Sequence, residues 1–216
     1  MTNPAKVVFT GENIACQRGG RMLFQNLSFS VSAGEILCVT GPNGSGKTSF
    51  LRILSGALDL SSGKINWNGK NFTEDSETHL AQLAFLPPDD RCLKPLETVF
   101  ENLMFWAGVW NMPQPAAAIA SALERMGIAG VRDRAVRYLS AGQKRRVSLA
   151  RLLLREVPLW LIDEPLNGLD AGARDLFAKA LQAHAARGGI SIVASHDALP
   201  SFLTGVSYLH IDGGAA

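Results

Sequence analysis

Two stretches carry residue types that can do chemistry together. The run Gly41, Pro42, Asn43, Gly44, Ser45, Gly46, Lys47, Thr48, Ser49 spaces glycines so that backbone N–H groups can wrap an anion, then supplies an ammonium and a hydroxyl in succession. That is the composition of a phosphate-binding loop (P-loop), in which Lys47 reaches the β- and γ-phosphates of a nucleotide and Thr48 the magnesium ion. Far downstream, Leu159, Trp160, Leu161, Ile162, Asp163 and Glu164 form an apolar run that ends in two carboxylates. Beside a P-loop such a pair has a definite use: Asp163 can hold Mg²⁺ and Glu164 can polarise the attacking water.

These residues need particular supports. Residues 35–40 read as a buried strand and 49–56 have helical apolar spacing, so the phosphates would lie on a helix N-terminus. Residues 5–36 alternate polar and apolar with turns at Arg18-Gly19-Gly20 and Ser32-Ala33-Gly34, an antiparallel meander that would flank the base. Residues 64–67 predict a short strand followed by a hairpin-like turn at Asn68-Gly69-Lys70, and 83–86 a buried strand stopped by Pro87-Pro88. Residues 96–110 are helical and aromatic in pattern, 115–126 an alanine-rich helix, and a third helix starts near Ser140. Strands at 159–162 and 190–194 bracket a helix over 171–187, and 206–211 reads as an edge strand before a short Gly-Ala tail. The fold class expected is α/β: a parallel core sheet, an antiparallel β subdomain, and a helical insert at about 90–155 within a single domain spanning 1–216.

Composition narrows the setting. A chain of 216 residues with 47% hydrophobic content can bury a sizeable core. No apolar run approaches the roughly 20 residues of a membrane span, and the start lacks a signal-peptide core, so the expected compartment is the cytoplasm. Three widely separated cysteines, Cys16, Cys38 and Cys92, argue against a disulfide frame or zinc site. A net charge of +2 does not argue for nucleic acid, and the basic run Lys144-Arg145-Arg146 reads as a solvated helix face.

Leu139-Ser140-Ala141-Gly142-Gln143 resembles the LSGGQ signature of the ATP-binding cassette (ABC) ATPases and lies, as in that family, between the P-loop and the acidic strand. The resemblance covers essentially the whole chain and implies ATP and Mg²⁺ as ligands and a P-loop NTPase cassette as the fold. It implies a homodimer, in which Ser140, Gly142 and Gln143 at a helix N-terminus face the γ-phosphate bound by the opposite subunit. Asn167-Gly168-Leu169-Asp170 resembles the D-loop, with Asp170 bridging the dimer, and His196 the switch histidine that touches the γ-phosphate. Lys47, Glu164 and His196 are then the catalytic candidates. The partners implied are integral membrane subunits, and the place is the cytoplasmic face of a bacterial inner membrane.

Two positions depart from the family pattern. Where an aromatic ring usually stacks on adenine, alignment through residues 23–29 puts Arg18, whose guanidinium can also stack on a base. No glutamine occurs between Gln82 and Gln114, so the family's magnesium-sensing glutamine is replaced by Pro88, Asp89 or Asp90 according to the gap chosen. The run LSAGQKRRVSLARLLL and the sequence CQRGGRMLFQNLSFSVSAGE are similar to the branch of ATP-binding subunits that serves haem export in cytochrome c biogenesis. An ABC ATPase for another substrate shares the same chemistry, whereas soluble ABC proteins usually carry tandem cassettes or a coiled-coil insert. Neither the substrate nor its direction is written in the cassette. In the 96–110 helix one stripe cannot bury Phe100, Leu103, Met104, Phe105, Trp106 and Trp110 together, so part of it is expected to meet a membrane partner.

Overall fold

The computed structural model describes residues 8–72 and 76–213; the first residues of the meander, 5–7, and the tail at 214–216 lie outside the described residues. The alternating N-terminal pattern forms two long strands, β1 (Val8–Arg18) and β2 (Arg21–Ser32), joined by a turn at Gly19-Gly20. The buried run that follows is β3 (Ile36–Thr40), and the P-loop opens directly into α1 (Lys47–Leu54). Then come β4 (Ser62–Trp67), β5 (Lys70–Asn71), α2 (Ser76–Ala81), which the sequence pattern did not announce, and β6 (Leu83–Leu86). The chain continues through α3 (Val99–Val109), α4 (Pro115–Arg125), α5 (Ala141–Leu154), β7 (Leu159–Asp163), α6 (Ala171–Ala186), β8 (Ile190–Ala194) and β9 (Val206–His210).

The aromatic helix starts three residues later than its pattern suggests. Thr98 and Glu101 close a capping box, Thr98 Oγ accepting from the Glu101 N–H at 3.1 Å and the Glu101 carboxylate accepting from the Thr98 N–H at 2.7 Å. Caps of this kind satisfy donors that the first turn leaves orphaned, and so fix where a helix begins. The preceding loop is tied down by the buried Asn102, whose amide donates to the Lys94 and Thr98 carbonyls and whose oxygen accepts from the Lys94 N–H.

Strands β2, β1, β4 and β5 form, in that order, an antiparallel sheet, and β6, β7, β8, β3 and β9 a second sheet whose pairs are all parallel. Alternation along the parallel strands sends side chains to opposite faces. Ile36, Cys38, Trp160 and Ile162 face the helical side with Leu103, Leu123, Leu149 and Phe177, whereas Leu37, Val39, Leu159 and Leu161 face α1 and the antiparallel sheet, where Phe9, Phe24, Phe29 and Phe50 interlock. Both faces are covered, which is why these strands read as continuous apolar runs. Each such fully buried side chain contributes roughly 1.5–3 kcal/mol.

Register places the site. Val39 pairs with Ala194, and Ala194 with Asp163, so the carboxyl ends of β3, β8 and β7 lie side by side. In parallel α/β sheets ligands bind at that edge. Behind it, the His184 ring of α6 stacks on Trp160 of β7 at 3.9 Å and 3°, occupying the space a side chain at Gly189 would need.

Burial lowers the pKa of His184 from 6.5 to about 4. The unfolded chain therefore binds more protons between those values, and stability is expected to be full above pH 6.5 and to fall as the pH drops towards 4, by about 3 kcal/mol. Urea denaturation at pH 7 and 4.5 checks this. His184→Phe should remove much of the difference, and an unchanged difference would show that other groups control acid lability.

Candidate functional site

The P-loop turns between β3 and α1. Gly46 occupies the helix N-cap at φ 109, a conformation that L side chains rarely adopt, and a Cβ there would press on Phe24 at 3.0 Å. Lys47 is buried, and its ammonium donates to the loop's own carbonyls of Gly41 at 2.8 Å and Pro42 at 3.0 Å. Asn43, Gly44, Gly46, Lys47, Thr48 and Ser49 line a cavity of about 740 Å³, closed on other sides by Glu164 and by Arg18, Gly19 and Leu23 at the β1–β2 turn. A concavity of this size suits a small-molecule ligand.

At the sheet edge the Asp163 carboxyl is fully buried and neither oxygen has a hydrogen-bonded donor. Burial raises its pKa, opposed by the nearby Thr48 hydroxyl, which favours the ionised form without closing a bond of normal geometry. The Ser45 hydroxyl is likewise buried and unpartnered. Buried polar groups are nearly always satisfied; Asp163 and Ser45 do not themselves line the cavity, but Asp163 lies behind its lining residue Thr48, which makes its bare carboxylate a candidate partner for a bound ligand. A carboxylate and a hydroxyl suit a hard cation. Among the described residues no cluster of three or more His, Cys, Asp or Glu side chains could hold a metal, so water and phosphate oxygens would complete its shell.

Glu164 follows with φ 46, left-handed for a non-glycine residue, and precedes Pro165. Such a backbone costs on the order of 1–3 kcal/mol and persists only where its surroundings over-determine it. The constraint comes from two directions. The Glu164 N–H donates to the Ala194 carbonyl at 2.8 Å, and the Arg145 guanidinium donates to the carbonyls of Asp163, Glu164 at 2.9 Å and Pro165 at 3.4 Å. The Glu164 carboxylate meets His196 Nδ1 at 2.7 Å, and Asp197, the next residue, pairs with Arg174 at 2.9 Å. Glu164 and His196 are thus brought together as their positions at strand ends suggest.

The expectation that Lys144-Arg145-Arg146 forms a solvated face is corrected at its centre. Arg145 is 2% exposed and bonded throughout, and Arg151 on the same helix is also buried. A basic triplet on a helix carries three directions at 100° intervals, so one of the three points inward whenever the helix packs. Spacing finds this afterwards: Arg145, Ser148, Leu152 and Arg155 recur at three and four residues.

Ser140 caps α5, its hydroxyl accepting from the Gln143 N–H at 3.2 Å while the Gln143 side-chain oxygen accepts from the Ser140 N–H at 3.0 Å. A Cβ on Gly142 would stand 2.6 Å from the Gly168 carbonyl, so glycine is required where the α5 N-terminus meets the 167–170 turn. Asp170 caps α6 through the Ala173 N–H at 2.8 Å and pairs with Arg146 at 3.3 Å. Ser140, Gly142, Gln143 and Asp170 therefore gather at one place on the surface, and none of them lines the P-loop cavity of its own chain. Asp89 pairs with Arg91, and Asp90 turns inward to Ser148 Oγ at 2.7 Å and Arg145 at 3.7 Å. Neither aspartate lines the cavity.

A second, apolar groove of about 310 Å³ runs between α2, β6, α3 and α5, lined by Leu80, Leu83, Leu86, Trp106, Trp110 and Arg151 among others. Trp106 and Trp110 are half-buried with ring centroids 5.6 Å apart and planes tilted by 33°, the Arg151 guanidinium lies 4.6 Å over Trp106, and Phe105 is exposed. Among the described residues no helix is long and apolar enough to cross a membrane.

With this geometry in hand, the family profile for ABC transporters matches residues 24–167. The chain belongs to the ABC transporter family. Within it, the chain is 43% identical over 206 residues to the cytochrome c biogenesis ATP-binding export protein CcmA of Paramagnetospirillum magneticum, covering 94% of each sequence. It is 44% identical over 189 residues to the CcmA protein of Yersinia pestis, covering 87% of this chain and 85% of that one. Among solved structures, a putative ABC transporter ATP-binding protein from Pyrococcus furiosus superposes with a TM-score of 0.81 at 23% identity, covering 94% of this chain and 97% of its own. CbiO1 from Clostridium perfringens, described as part of the ABC transporter complex cbiONQ, gives 0.74 at 25% identity, covering 89% and 79%. The ABC ATPase cassette is therefore the fold, and ATP binding and hydrolysis coupled to transport is the family's activity.

The raised pKa of Asp163 means that the folded chain holds its proton more tightly than the unfolded one, so ionised Asp163 lowers stability at neutral pH and the penalty fades as the pH falls. Asp163→Asn is expected to raise the unfolding free energy of the ligand-free chain by about 1 kcal/mol or more, roughly 2–4 °C in Tm. It should also lose most of the further rise given by MgATP. Thermal scans with and without MgATP check both, and an equal MgATP response in the two proteins would remove Asp163 from the metal site.

Proposed function

We propose that this chain is the ATP-hydrolysing subunit of a haem exporter in cytochrome c biogenesis, working as a homodimer on integral membrane subunits at the cytoplasmic face of the inner membrane. The observation that carries the chemistry is the cavity shared by the P-loop and Glu164, with Glu164 held by His196. The cellular role is supported by the similarity to the CcmA proteins over nearly the whole length of both sequences.

ATP lies with its phosphates on the N–H groups of residues 41–49 and the α1 N-terminus, and Lys47 exchanges its carbonyl partners for phosphate oxygens. Mg²⁺, held by Thr48 and Asp163, would neutralise charge on the phosphates. The base rests on Arg18 and Leu23. A guanidinium stacks on any base but accepts no hydrogen bond from the adenine amine, so selection against GTP is weak. Ser140, Gly142 and Gln143 of the second copy close the γ-phosphate from the opposite side, and Asp170 braces the two copies. Water, aligned by Glu164 and His196, attacks the γ-phosphorus; its proton passes to Glu164 as the bond to the bridging oxygen breaks and ADP leaves.

Glu164→Gln should bind ATP with near-normal affinity, hydrolyse it about 100 to 10,000 times more slowly, and accumulate a dimer by light scattering in the presence of ATP. Turnover close to that of the unaltered chain would overturn the role of Glu164. A strain lacking this gene should fail to make c-type cytochromes detected by haem stain, and normal staining would overturn the cellular role. The groove beside Trp106 and Trp110 is where we place the membrane subunit, since aromatic anchors dominate such contacts. Trp110→Ala should weaken recruitment to membranes containing the transporter roughly 30-fold and leave ATP affinity within about twofold. Unchanged recruitment would make these aromatics core.

A further inference from the structure

One face of α5 grips the chain from residue 80 to residue 90 along its whole length. At the C-terminal end Arg155 donates to the carbonyls of Leu80 at 3.2 Å, Ala81 at 3.1 Å and Leu83 at 2.6 Å. Further along, the fully buried Ser148 donates to Asp90 at 2.7 Å. At the next position on that face, Arg145 donates to the Pro87 carbonyl at 2.9 Å and lies 3.7 Å from Asp90. The gripped segment is α2, β6 and the loop after it, and it supplies one wall of the tryptophan groove. Arg145 differs from the other two because it does not stop there. The same guanidinium reaches the carbonyls of Asp163, Glu164 and Pro165, the turn in which Glu164 is left-handed.

We propose that Arg145 is the positioning residue that joins the groove-lining segment to the hydrolytic turn, and that it does so in a chain whose 83–113 stretch has no glutamine. The inference rests on the hydrolysis assigned to Glu164 above. A planar guanidinium is suited to the task, since it carries five donors in a fixed fork and, buried, cannot trade its acceptors for water. Displacing Pro87 or Asp90, as a segment seated in the groove would do, pulls on the fork, and the fork is bonded to the backbone of the two residues that carry the carboxylates. A rigid packed contact of this kind transmits a displacement because its surroundings cannot absorb it. Arg145 touches neither cavity, so its effect falls on the geometry of the turn that carries Asp163 and Glu164 rather than on direct contacts with the nucleotide.

The test is Arg145→Lys in the full chain purified with its membrane subunits, with ATPase kinetics, equilibrium ATP affinity and thermal unfolding measured together. Lysine keeps the charge but offers its donors from one point and cannot span both loops. The expected result is kcat lowered roughly 10- to 100-fold with KM and ATP affinity within about twofold. Ser148→Ala and Asp90→Asn loosen only the loop side of the joint. Each should lower kcat several-fold alone and add little in the Arg145→Lys background, because groups acting through one joint are not additive. A folded Arg145→Lys protein with normal kcat, a loss confined to KM, or fully additive losses would overturn the proposal. Should Arg145→Lys fail to fold, normal kcat in both Ser148→Ala and Asp90→Asn would do the same. Absence of hydrolysis by the unaltered complex would instead strike the assignment of activity, and this inference with it.

Discussion

A fully buried carboxylate that no protein donor satisfies is the constraint around which this cassette is built. Asp163 sits at the end of β7 with both oxygens unpaired, and two cations of the site are spent on other acceptors: Lys47 on the P-loop carbonyls and Arg145 on the carbonyl of Asp163 itself. Isolated buried charge is expensive. A fold optimised for stability alone would give this carboxylate a partner or replace it with an apolar residue. Keeping it bare, close to the Thr48 hydroxyl of an anion-binding loop, suits the magnesium nucleotide proposed to bind there, which would bring both signs of charge at once. The order of the parallel strands serves this arrangement, since β8 separates β3 from β7 and leaves room between the P-loop and the acid for a ligand.

The second dependence is conformational. Glu164 must project from a strand end towards the cavity while the chain turns sharply into Pro165, and the left-handed backbone that achieves this is held on one side by Ala194 and on the other by Arg145. The same logic of a shape held by its neighbours governs Gly142 against the Gly168 carbonyl. That contact locks the α5 N-terminus to the turn before α6, so Ser140, Gly142, Gln143 and Asp170 form one rigid surface. A surface assembled within one chain yet removed from that chain's own phosphates is what the proposed dimer requires.

How much of this could be read from the sequence follows from which physics is local. The P-loop, the acidic strand and the capped helix at Ser140 depend on residues within a few positions of one another, and β8 runs over the residues its pattern indicates. The onset of α3 lies three residues inside its apolar pattern because the capping box at Thr98 and Glu101, not the pattern, fixes where the helix begins. Helix α2 is too short and polar to carry a period. Arg145 was hidden for a deeper reason, since whether an arginine in a basic triplet faces water or carbonyls depends on what packs against that side of the helix, here segments some 20 and 60 residues away in sequence. Asp89 and Asp90 could not be separated by counting, and only the fold distinguishes the one paired at the surface from the one turned inward.

Helix α5 unites these observations. Its N-terminus presents the signature residues, its middle holds the hydrolytic turn through Arg145, and its C-terminal end grips β6 and lines the tryptophan groove through Arg155 and Leu152. At 1.5 Å per residue its 14 residues span about 21 Å, so one rod touches the proposed dimer surface, the backbone of the Glu164 turn and the proposed docking site. A rod cannot bend to serve three contacts independently. In the proposed coupling, movement imposed at the groove would appear as a shift of the Ser140 end, of the Glu164 turn, or of both, with the buried hydrogen bonds of Arg145 joining the two. The proposed coupling between partner and chemistry then needs no separate signalling element, because this helix is already bonded to the groove-lining segment and to the Glu164 turn.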